Sequence, residues 1–521
     1  MAYGGGTFTT QNKVLPGAYI VFASVARASA TISDRGVAAA PFELSWGPAG
    51  EVMEVEQREF IKNCMELFGY PYGAPEMLPL REIFKHAVKC FCYRLPATGA
   101  EKAAAVQTTD NLTFANAKYK GKRGNDIVVQ IAAVPNTSPK QYNVVTLVGG
   151  SKVDEQTLTS WADLKDNDFV KWVKSVTVQE TEYTLTTDET VLIDGSKTYY
   201  TRSGEEGNYT YTAVPTDQLD NSDIGTYYEA ATNDVTYVLC FGSETADVPY
   251  KQVADTVTKM TGGEDGNVEG TAHENFLEAI EPYAFNTLCC PVSDATTIGA
   301  YVTFTKTQRE QVGSYFQLVC YSPDGTTGAD HEGVIGMWNK PKNADPALLT
   351  YWLTGAEAAA PINGSLTNTK YDGELEIEVD TKQSILEKHI KDGHLVFHNS
   401  NGNIVILTDI DSLVSLKENF GSMYQKNQTI RVCDNIANDI AVLFVNRYLG
   451  IVQNDESGRA SFWNDLVKYF RELQRLRAIT EFTDDIITVE EGDEKDVVLV
   501  HINGLNVVNA MEKLYMTVIC R

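Results

Sequence analysis

Hydrophobic and polar residues alternate with two different periods along the chain, and the period changes several times. Apolar residues recur every three or four positions from Val55 to Tyr70, which predicts an amphipathic helix that ends at the breaker cluster 69–73. A second helix is predicted through 80–85. From about 98 to 262 the apolar residues follow a period of two between turn residues, which predicts an all-β region.

The next region alternates between helical and strand-like segments. The helical ones include 276–280 and 304–311, and the strand-like ones include 285–290 and 316–320. This order favours a layered sheet that is covered by helices. A further strand with one acidic face is predicted for 374–380, where carboxylates occupy every second position.

The C-terminal part of the chain is predicted to contain two long helices, 430–449 and about 460–478, followed by strands. Its final run, 510–521, consists of β-forming residues and predicts a strand, and 17–22 is a similar run near the other end. An unpaired strand offers its N–H and C=O groups to another chain. Two such termini indicate subunits that exchange strands, and pairing of each terminus within its own fold is the alternative.

The second of these long helices carries a basic stripe. Lys468, Arg471 and Arg475 recur at helical spacing and share one face, while its apolar residues lie on another. In a strongly acidic protein this stripe predicts contact with an acidic partner. An ordinary solvated helix face is the alternative.

Composition excludes several classes of function. The 521 residues carry a formal net charge of −27, which argues against wrapping nucleic acid or lying on an anionic membrane. No apolar run approaches the roughly 20 residues of a membrane span. The N-terminus lacks the basic and apolar regions of a signal peptide, so we expect synthesis in a cytoplasm.

Much of the negative charge lies in one segment, 177–250. It contains fourteen acidic residues and two basic ones, Lys197 and Arg202, for a net charge of −12. Tyrosine and threonine alternate around turns within 197–212, which predicts hairpins. We interpret the segment as a solvent-facing β insertion, with a carbohydrate- or protein-binding module as the alternative.

Candidate catalytic and metal-binding motifs are weak. His86, Cys90 and Cys92 lack a second ligand pair at the spacing of a zinc site, and three histidines in 389–398 flank a turn and an apolar strand. The glycine-rich run 261–267 lacks the lysine and the helix of a phosphate-binding loop. The sequence therefore predicts no enzyme, no metal and no cofactor.

A set of short motifs occurs in order along most of the chain: Thr9–Tyr19, Ser33–Gly36, Tyr119–Ile127, Leu164–Val170, Thr261–Gly266, Glu281–Leu288, Glu332–Ile335, Lys426–Ile440 and Glu512–Val518. This ordered set resembles the contractile tail sheath proteins of myophages and prophages, which are related to the sheaths of contractile bacteriocins. The insertion at about 177–250 departs from simpler sheaths, which pass almost directly from the β domain to the glycine turn.

The resemblance implies an α+β multidomain fold. It would have an outward β-sandwich-like domain with the acidic all-β insertion, a central α/β layered domain, and a C-terminal α/β domain with exchanged terminal β-arms. The expected divisions are an N-terminal arm (1–22), the N-terminal part of the sheath core (23–97), the β domain (98–262), the central domain (263–395), the tube-facing domain (396–504) and a C-terminal arm (505–521).

The resemblance also implies a non-enzymatic, metastable polymer. Such subunits form stacked six-fold rings around a tail tube and contract when the baseplate triggers them. The implied partners are the subunit itself, the tail tube protein, and baseplate and tail-terminator proteins, in a virion tail or bacteriocin particle assembled in the host cytoplasm. A phage surface or adhesion protein that binds through 177–250 is the alternative, and a hydrolase built on the α/β domain is a third class.

Two groups of residues would carry this function. Lys468, Arg471 and Arg475 would face the tube. The inter-subunit arms would use Val14, Pro16, Tyr19, Val21, Leu514, Tyr515, Met516, Val518 and Ile519.

Overall fold

The computed structural model describes residues 32–107, 111–187, 197–206, 208–242, 248–322, 329–416 and 421–519. The helix predicted at Val55–Tyr70 is confirmed as α1 (Gln57–Phe68), which ends where Gly69 takes a left-handed conformation with φ 75°. A Cβ at Gly69 would lie 2.5 Å from the Trp46 ring, so glycine is required there. The other α-helices of the described chain are α2 Leu78–Ile83, α3 Gly270–Ile280, α4 Ala295–Thr307, α5 Leu349–Ala359, α6 Gln383–Lys391, α7 Asn427–Arg447 and α8 Glu456–Arg475.

The strands form several separate sheets. In chain order they are β1 Val37–Phe42, β2 Val52–Glu56, β3 Lys89–Arg94, β4 Ala104–Gln107, β5 Leu112–Ala117, β6 Ile127–Val134, β7 Gln141–Val148, β8 Ser151–Leu158, β9 Val170–Trp172, β10 Ser175–Leu185, β11 Tyr199–Ser203, β12 Thr210–Ala213, β13 Tyr227–Cys240, β14 Tyr250–Gln252, β15 Thr256–Lys259, β16 Thr287–Cys290, β17 Gln317–Tyr321, β18 Val334–Met337, β19 His394–Leu395, β20 Phe397–Ser400, β21 Asn403–Ile406, β22 Ile479–Thr480, β23 Ile487–Glu491, β24 Val498–Ile502 and β25 Asn506–Val507.

The central unit is a seven-stranded sheet in the order β19-β18-β17-β16-β1-β3-β2, parallel except for β2. Successive side chains of its inner strands enter different cores. Ala38 and Cys289 pack with the side chains of α1 and α2, whereas Ala39 and Leu288 pack with those of α3 and α4. The sheet is therefore covered on both faces, as the alternation of helices and strands predicted.

The all-β prediction for 98–262 is also confirmed in its main features. A four-stranded sheet (β15-β6-β7-β8) and a three-stranded sheet (β4-β5-β9) share an aromatic core that includes Trp161, Phe114 and Phe241. The segment 177–250 contributes a further antiparallel sheet, β10-β13-β11-β12, with β14 beside β13. One face of that sheet carries a stacked pair of tyrosines, Tyr183 and Tyr211, whose ring centroids are 3.8 Å apart.

The acidic strand predicted for 374–380 is wrong. This segment makes one isolated bridge, between Ile377 and Pro341, and otherwise runs without a ladder. Its first carboxylate is used elsewhere, because Glu374 accepts hydrogen bonds from the Arg81 guanidinium at 2.7 and 2.9 Å. The backbone N–H of Glu374 donates a hydrogen bond to the Glu82 carboxylate. Period-two spacing alone did not distinguish this loop from a strand.

The C-terminal unit combines α7 and α8 with small two-stranded sheets. The predicted long helices are confirmed, with somewhat earlier starts than the sequence indicated. The strands β23 and β24 form an antiparallel hairpin that packs against α8. A short sheet of β22 and β25 brings the chain back beside the end of α8 before its final segment.

Candidate functional site: a buried joint and an exposed tail

The first half of α7 is buried against the central unit through polar side chains. The Arg431 guanidinium donates to the carboxylates of Glu357 at 2.6 Å and Asp409 at 3.4 Å, and all three side chains are fully buried. Asn427 donates to both carboxylates, at 2.8 Å to Asp409 and 3.3 Å to Glu357. We call Glu357, Asp409, Asn427 and Arg431 the joint, because they connect α5, the loop after β21 and α7.

The two carboxyl groups of the joint have different pKa values. Burial, followed by the nearby Asp409 charge, raises the pKa of Glu357 to about 8. Burial alone would raise the pKa of Asp409 too, but Arg431 and several hydrogen bonds hold it below its ordinary value. At neutral pH the joint therefore holds a protonated Glu357, an ionised Asp409 and the Arg431 cation, so its net charge is close to zero.

Two further arginines tie α7 to the rest of the fold. Arg309, in the helical turn that directly follows α4, forms a bidentate ion pair with Asp434 at 2.7 and 2.8 Å. Arg35 donates to the Asn435 side chain and to the backbone carbonyls of Glu357 and Ala360. Burial, followed by repulsion from Arg431, lowers the pKa of Arg35 to about 9. Because these cations are desolvated and paired, separating α7 from the central unit would leave uncompensated buried charges.

The chain then leaves the fold in a defined way. The Val508 N–H donates to the Ala478 carbonyl, and the Gln428 side chain bonds the Val508 carbonyl at 3.0 Å and the Ala510 N–H at 2.9 Å. Asn509 accepts a hydrogen bond from Thr429 at 3.1 Å. The segment 506–512 is therefore held in its own subunit.

Among the described residues, no hydrogen bond or ion pair involves 513–519. We call residues 513–519 the exposed tail. Its large apolar side chains are mostly in solvent: Leu514 is 85% exposed, Tyr515 91%, Met516 74%, Val518 69% and Ile519 85%. The predicted strand is not formed over 508–519 in the single chain, where no described residue pairs with it. The N-terminal residues Val14, Pro16, Tyr19 and Val21 lie outside the described residues.

The hairpin of β23 and β24 lies in the same unit and forms a two-stranded sheet with no third strand among the residues described. Val489, Val500 and Ile502 are partly buried against the α8 core, while Glu490 and His501 face solvent. Among the described residues, no strand pairs with either outer edge of this sheet, although the Ile487 carbonyl accepts a hydrogen bond from the Trp463 indole at 3.0 Å. A short two-stranded sheet is marginal by itself, so it gains stability from added strands.

The basic residues of α8 do share an exposed face. The side chains of Lys468, Arg471 and Arg475 are 71%, 61% and 68% exposed. Each, however, contacts an acidic residue of its own subunit: Lys468 contacts Asp465, Arg471 contacts Asp484 and Arg475 contacts Glu472. Sequence reasoning did not anticipate this pairing of Arg471, because Asp484 belongs to a later loop.

The weak metal candidates do not come together. His86 contacts Asp372 and the Trp352 ring, and His389 and His394 pack with Trp338. Within the described ranges, no group of three or more His, Cys, Asp or Glu side chains is arranged to hold a metal ion. A search of the same residues finds no helix with the length and apolar character needed to cross a bilayer.

The joint and the anchoring of 506–512 were missed by sequence reasoning. Long-range partners carry both: Arg431 binds Glu357, and Gln428 binds the backbone near Val508. The one available signal was the polar character of 426–440, a helical segment rich in Asn, Asp and Gln. Such residues inside a helix indicate buried hydrogen bonding but not the partner.

Three family models match the chain in sequential order. They describe the N-terminal region of domain III of the tail sheath protein Gp18 (residues 35–95), the phage tail sheath protein central domain (266–412) and the phage tail sheath C-terminal domain (421–521). The phage-like element PBSX protein XkdK of Bacillus subtilis (strain 168) is 26% identical over 99% of this chain and 99% of its own length.

Two further comparisons agree. The tail sheath protein of Clostridium phage phiCD119 is 27% identical over 47% of this chain and 65% of that protein. The crystal structure of the sheath tail protein DSY3957 of Desulfitobacterium hafniense matches with a TM-score of 0.68 at 25% identity, covering 94% of this chain and 99% of that one. These comparisons do not favour the alternative of an adhesion protein. With the sheath models matched in order over most of the described fold, the chain belongs to the phage tail sheath family.

Proposed function

We propose that the protein is the subunit of a contractile tail sheath. It polymerises around a tail tube in a metastable extended state and then shortens to drive the tube through the envelope of a target cell. The observation that carries the proposal is the exposed tail, an apolar strand sequence that leaves an otherwise well-packed domain. Such a segment is costly to expose, and a neighbouring subunit provides the surface that buries it.

The alternation within the exposed tail fits the hairpin of a neighbouring subunit. Leu514, Met516 and Val518 fall on one side of an extended strand, and Tyr515, Thr517 and Ile519 fall on the other. The hairpin likewise has one apolar face toward α8 and one polar face. We infer that the tail adds to an open edge of this hairpin, with Leu514, Met516 and Val518 continuing the apolar face.

The joint supports contraction by movement of rigid subunits. Its ion pairs connect the central and C-terminal units through fully buried side chains. Bending at the joint would therefore leave buried charges without their partners. Motion would then concentrate in the terminal arms. Head-to-tail exchange of strands propagates an open helix rather than a closed dimer. Energy stored on assembly drives this change, and the subunit acts without catalysis or cofactors.

The remaining partners follow from the same proposal. The C-terminal unit faces the tail tube through Lys468, Arg471 and Arg475, and the acidic insertion faces outward. Sheath ends contact baseplate and tail-terminator proteins. The particle is a virion tail or a bacteriocin that is assembled in the bacterial cytoplasm.

Deletion of 513–521 tests the proposal while keeping the anchored segment 506–512. We expect a folded monomer, seen by circular dichroism and gel filtration, that forms no striated sleeves in negative-stain electron microscopy. Ile61→Ser is the matched control, because it removes an apolar side chain that is 55% exposed on α1 and far along the chain from the tail. Intact sleeves from the deletion variant would overturn the proposed strand exchange, and a full-length protein that forms no sleeves would overturn the sheath function.

A further inference from the structure

The last carboxylate before the exposed tail is held by three donors. Glu512 accepts hydrogen bonds from the Thr367 hydroxyl at 2.8 Å and the Thr408 hydroxyl at 3.1 Å, and it forms an ion pair with Lys426. Its side chain is only 19% exposed. The adjoining Met511 is fully exposed, so the chain turns its carboxylate inward at this position.

These donors belong to three separate segments of the fold. Thr367 lies in the loop after α5, Thr408 follows β21, and Lys426 immediately precedes α7. A small pocket of about 40 Å³ lies beside Glu512, and its lining includes Asp409 of the joint. Lys426 also adjoins Asn427, which bonds both carboxylates of the joint. A force on the tail at Glu512 would therefore act on Lys426, which is the residue directly before Asn427 of the joint.

We propose that Glu512 is a positioning residue that fixes where the donated strand begins and hence its register on the neighbouring subunit. The inference rests on the proposed strand exchange. Side chains of a strand alternate between faces, so a slip of one residue would place Tyr515 and Thr517 where Leu514 and Met516 belong. Without the Glu512 contacts, the last residue that is hydrogen-bonded to its own subunit is Ala510. Residues 511 and 512 would then be released together with the exposed tail.

The geometry explains why a carboxylate is used. A carboxylate has enough lone pairs to accept from two hydroxyls and an ammonium group together, whereas a glutamine amide presents one acceptor oxygen. Charge-assisted bonds are also about twice as strong as neutral ones. The contacts of Glu512 with Thr367, Thr408 and Lys426, which we call the anchor, thus fix the position of this residue while the tail beyond it moves as the sheath changes length.

Cysteine capture within sleeves measures the register. In full-length protein that carries Cys520→Ser, one cysteine at 514, 515 or 516 is combined with Val500→Cys in the neighbouring hairpin, and the disulfide yields are compared. We expect one dominant position in the otherwise unaltered protein. We expect Glu512→Ala to spread the yields over all three positions and to raise the critical concentration for sleeves about tenfold. Lys426→Met should act similarly.

Two controls separate positioning from folding. The melting temperature of the monomer should stay within a few degrees in Glu512→Gln and Glu512→Ala, since the anchor lies outside the hydrophobic clusters. The exchanged pair Lys426→Glu with Glu512→Lys should restore a single dominant disulfide. If the deletion of 513–521 still forms sleeves, the proposed strand exchange fails. If that deletion abolishes sleeves but Glu512→Ala keeps one dominant register, only the role of Glu512 is overturned.

Discussion

The joint and the exposed tail reverse the usual distribution of polar and apolar residues. In the joint, Arg431, Glu357 and Asp409 are fully buried. In the tail, Leu514 and Ile519 are each 85% exposed. Buried charges need exact partners, which makes the joint geometrically specific. Exposed apolar residues need only a complementary surface, which fits the proposed binding of the tail to another subunit.

This contrast suggests a division of labour within one subunit. Rigidity comes from desolvated ion pairs that cannot rearrange without a large cost, and connectivity comes from a segment that its own fold leaves uncovered. Glu512 lies at the boundary between them.

The largest effect is expected at the joint. Arg431→Met removes the cation and leaves the ionised Asp409 buried without a positive charge beside it, which should lower the free energy of unfolding by about 3–5 kcal/mol. Arg475→Met is the matched control, because its pair with Glu472 is exposed to solvent and contributes little to stability. Chemical denaturation of the tail-deleted monomer measures both. Equal effects of the two substitutions would contradict the interpretation that the joint makes the subunit rigid.

In the tail, the two faces of the strand should differ. Replacing Leu514 and Val518 by serine removes side chains that each contribute about 1.5–3 kcal/mol when buried, so sleeves should form poorly or not at all. The control changes Thr517 to serine on the opposite face and should leave sleeves intact. Monomer stability should be unchanged in both, because these side chains are exposed there. Equal assembly of the two variants would contradict the assigned alternation.

A smaller effect concerns pH at the joint. The folded pKa of Glu357, about 8, exceeds the unfolded value of about 4.3, so the folded protein holds a proton that the unfolded chain releases. The stability that this proton contributes is therefore present at low pH and is lost as pH rises toward 8. Between pH 6.5 and 8 the loss is at most about 2 kcal/mol, from about 1.4 kcal/mol per pH unit.

Glu357→Gln isolates this titration, because the amide stays neutral at every pH. Denaturation curves should show the stability of the Glu357 protein falling relative to that of the Glu357→Gln variant as pH rises from 6.5 to 8. Arg35 does not interfere, because its folded pKa is about 9 and its contribution changes only above this range. Parallel pH profiles for the two proteins would show that Glu357 is already ionised in the fold.

The smallest effect on the subunit itself is expected at the basic stripe. Reversing the charge of Lys468, Arg471 and Arg475 should change monomer stability very little, because these cations are exposed to solvent. Assembly templated by tail tubes should weaken, most strongly at low salt. Arg202→Glu in the acidic insertion provides the control. Unchanged tube-templated assembly would exclude the stripe as the tube contact.

Sequence patterns predicted the elements whose periods are long and regular. The helix α1 was predicted together with its glycine stop, and β16 and β17 were predicted as strands. Short-range spacing decided these cases, because helical and extended backbones repeat every 3.6 and two residues. The segment 374–380 shows the limit of this reasoning. Its alternation is strand-like, yet the long-range contacts of Glu374 with Arg81 and Glu82 hold it as a loop.

By itself, the sequence determined the layered central unit, the acidic β insertion, the basic face of α8 and the apolar character of the C-terminal run, since local composition and periodicity set all four. Tertiary structure alone decided which residues of that run are held and which are released. Gln428 and Lys426 secure 508–512 from far along the chain, and no described residue covers 513–519. Such contacts join residues that are distant in the sequence. The spacing of residues along one chain does not predict which of them come together.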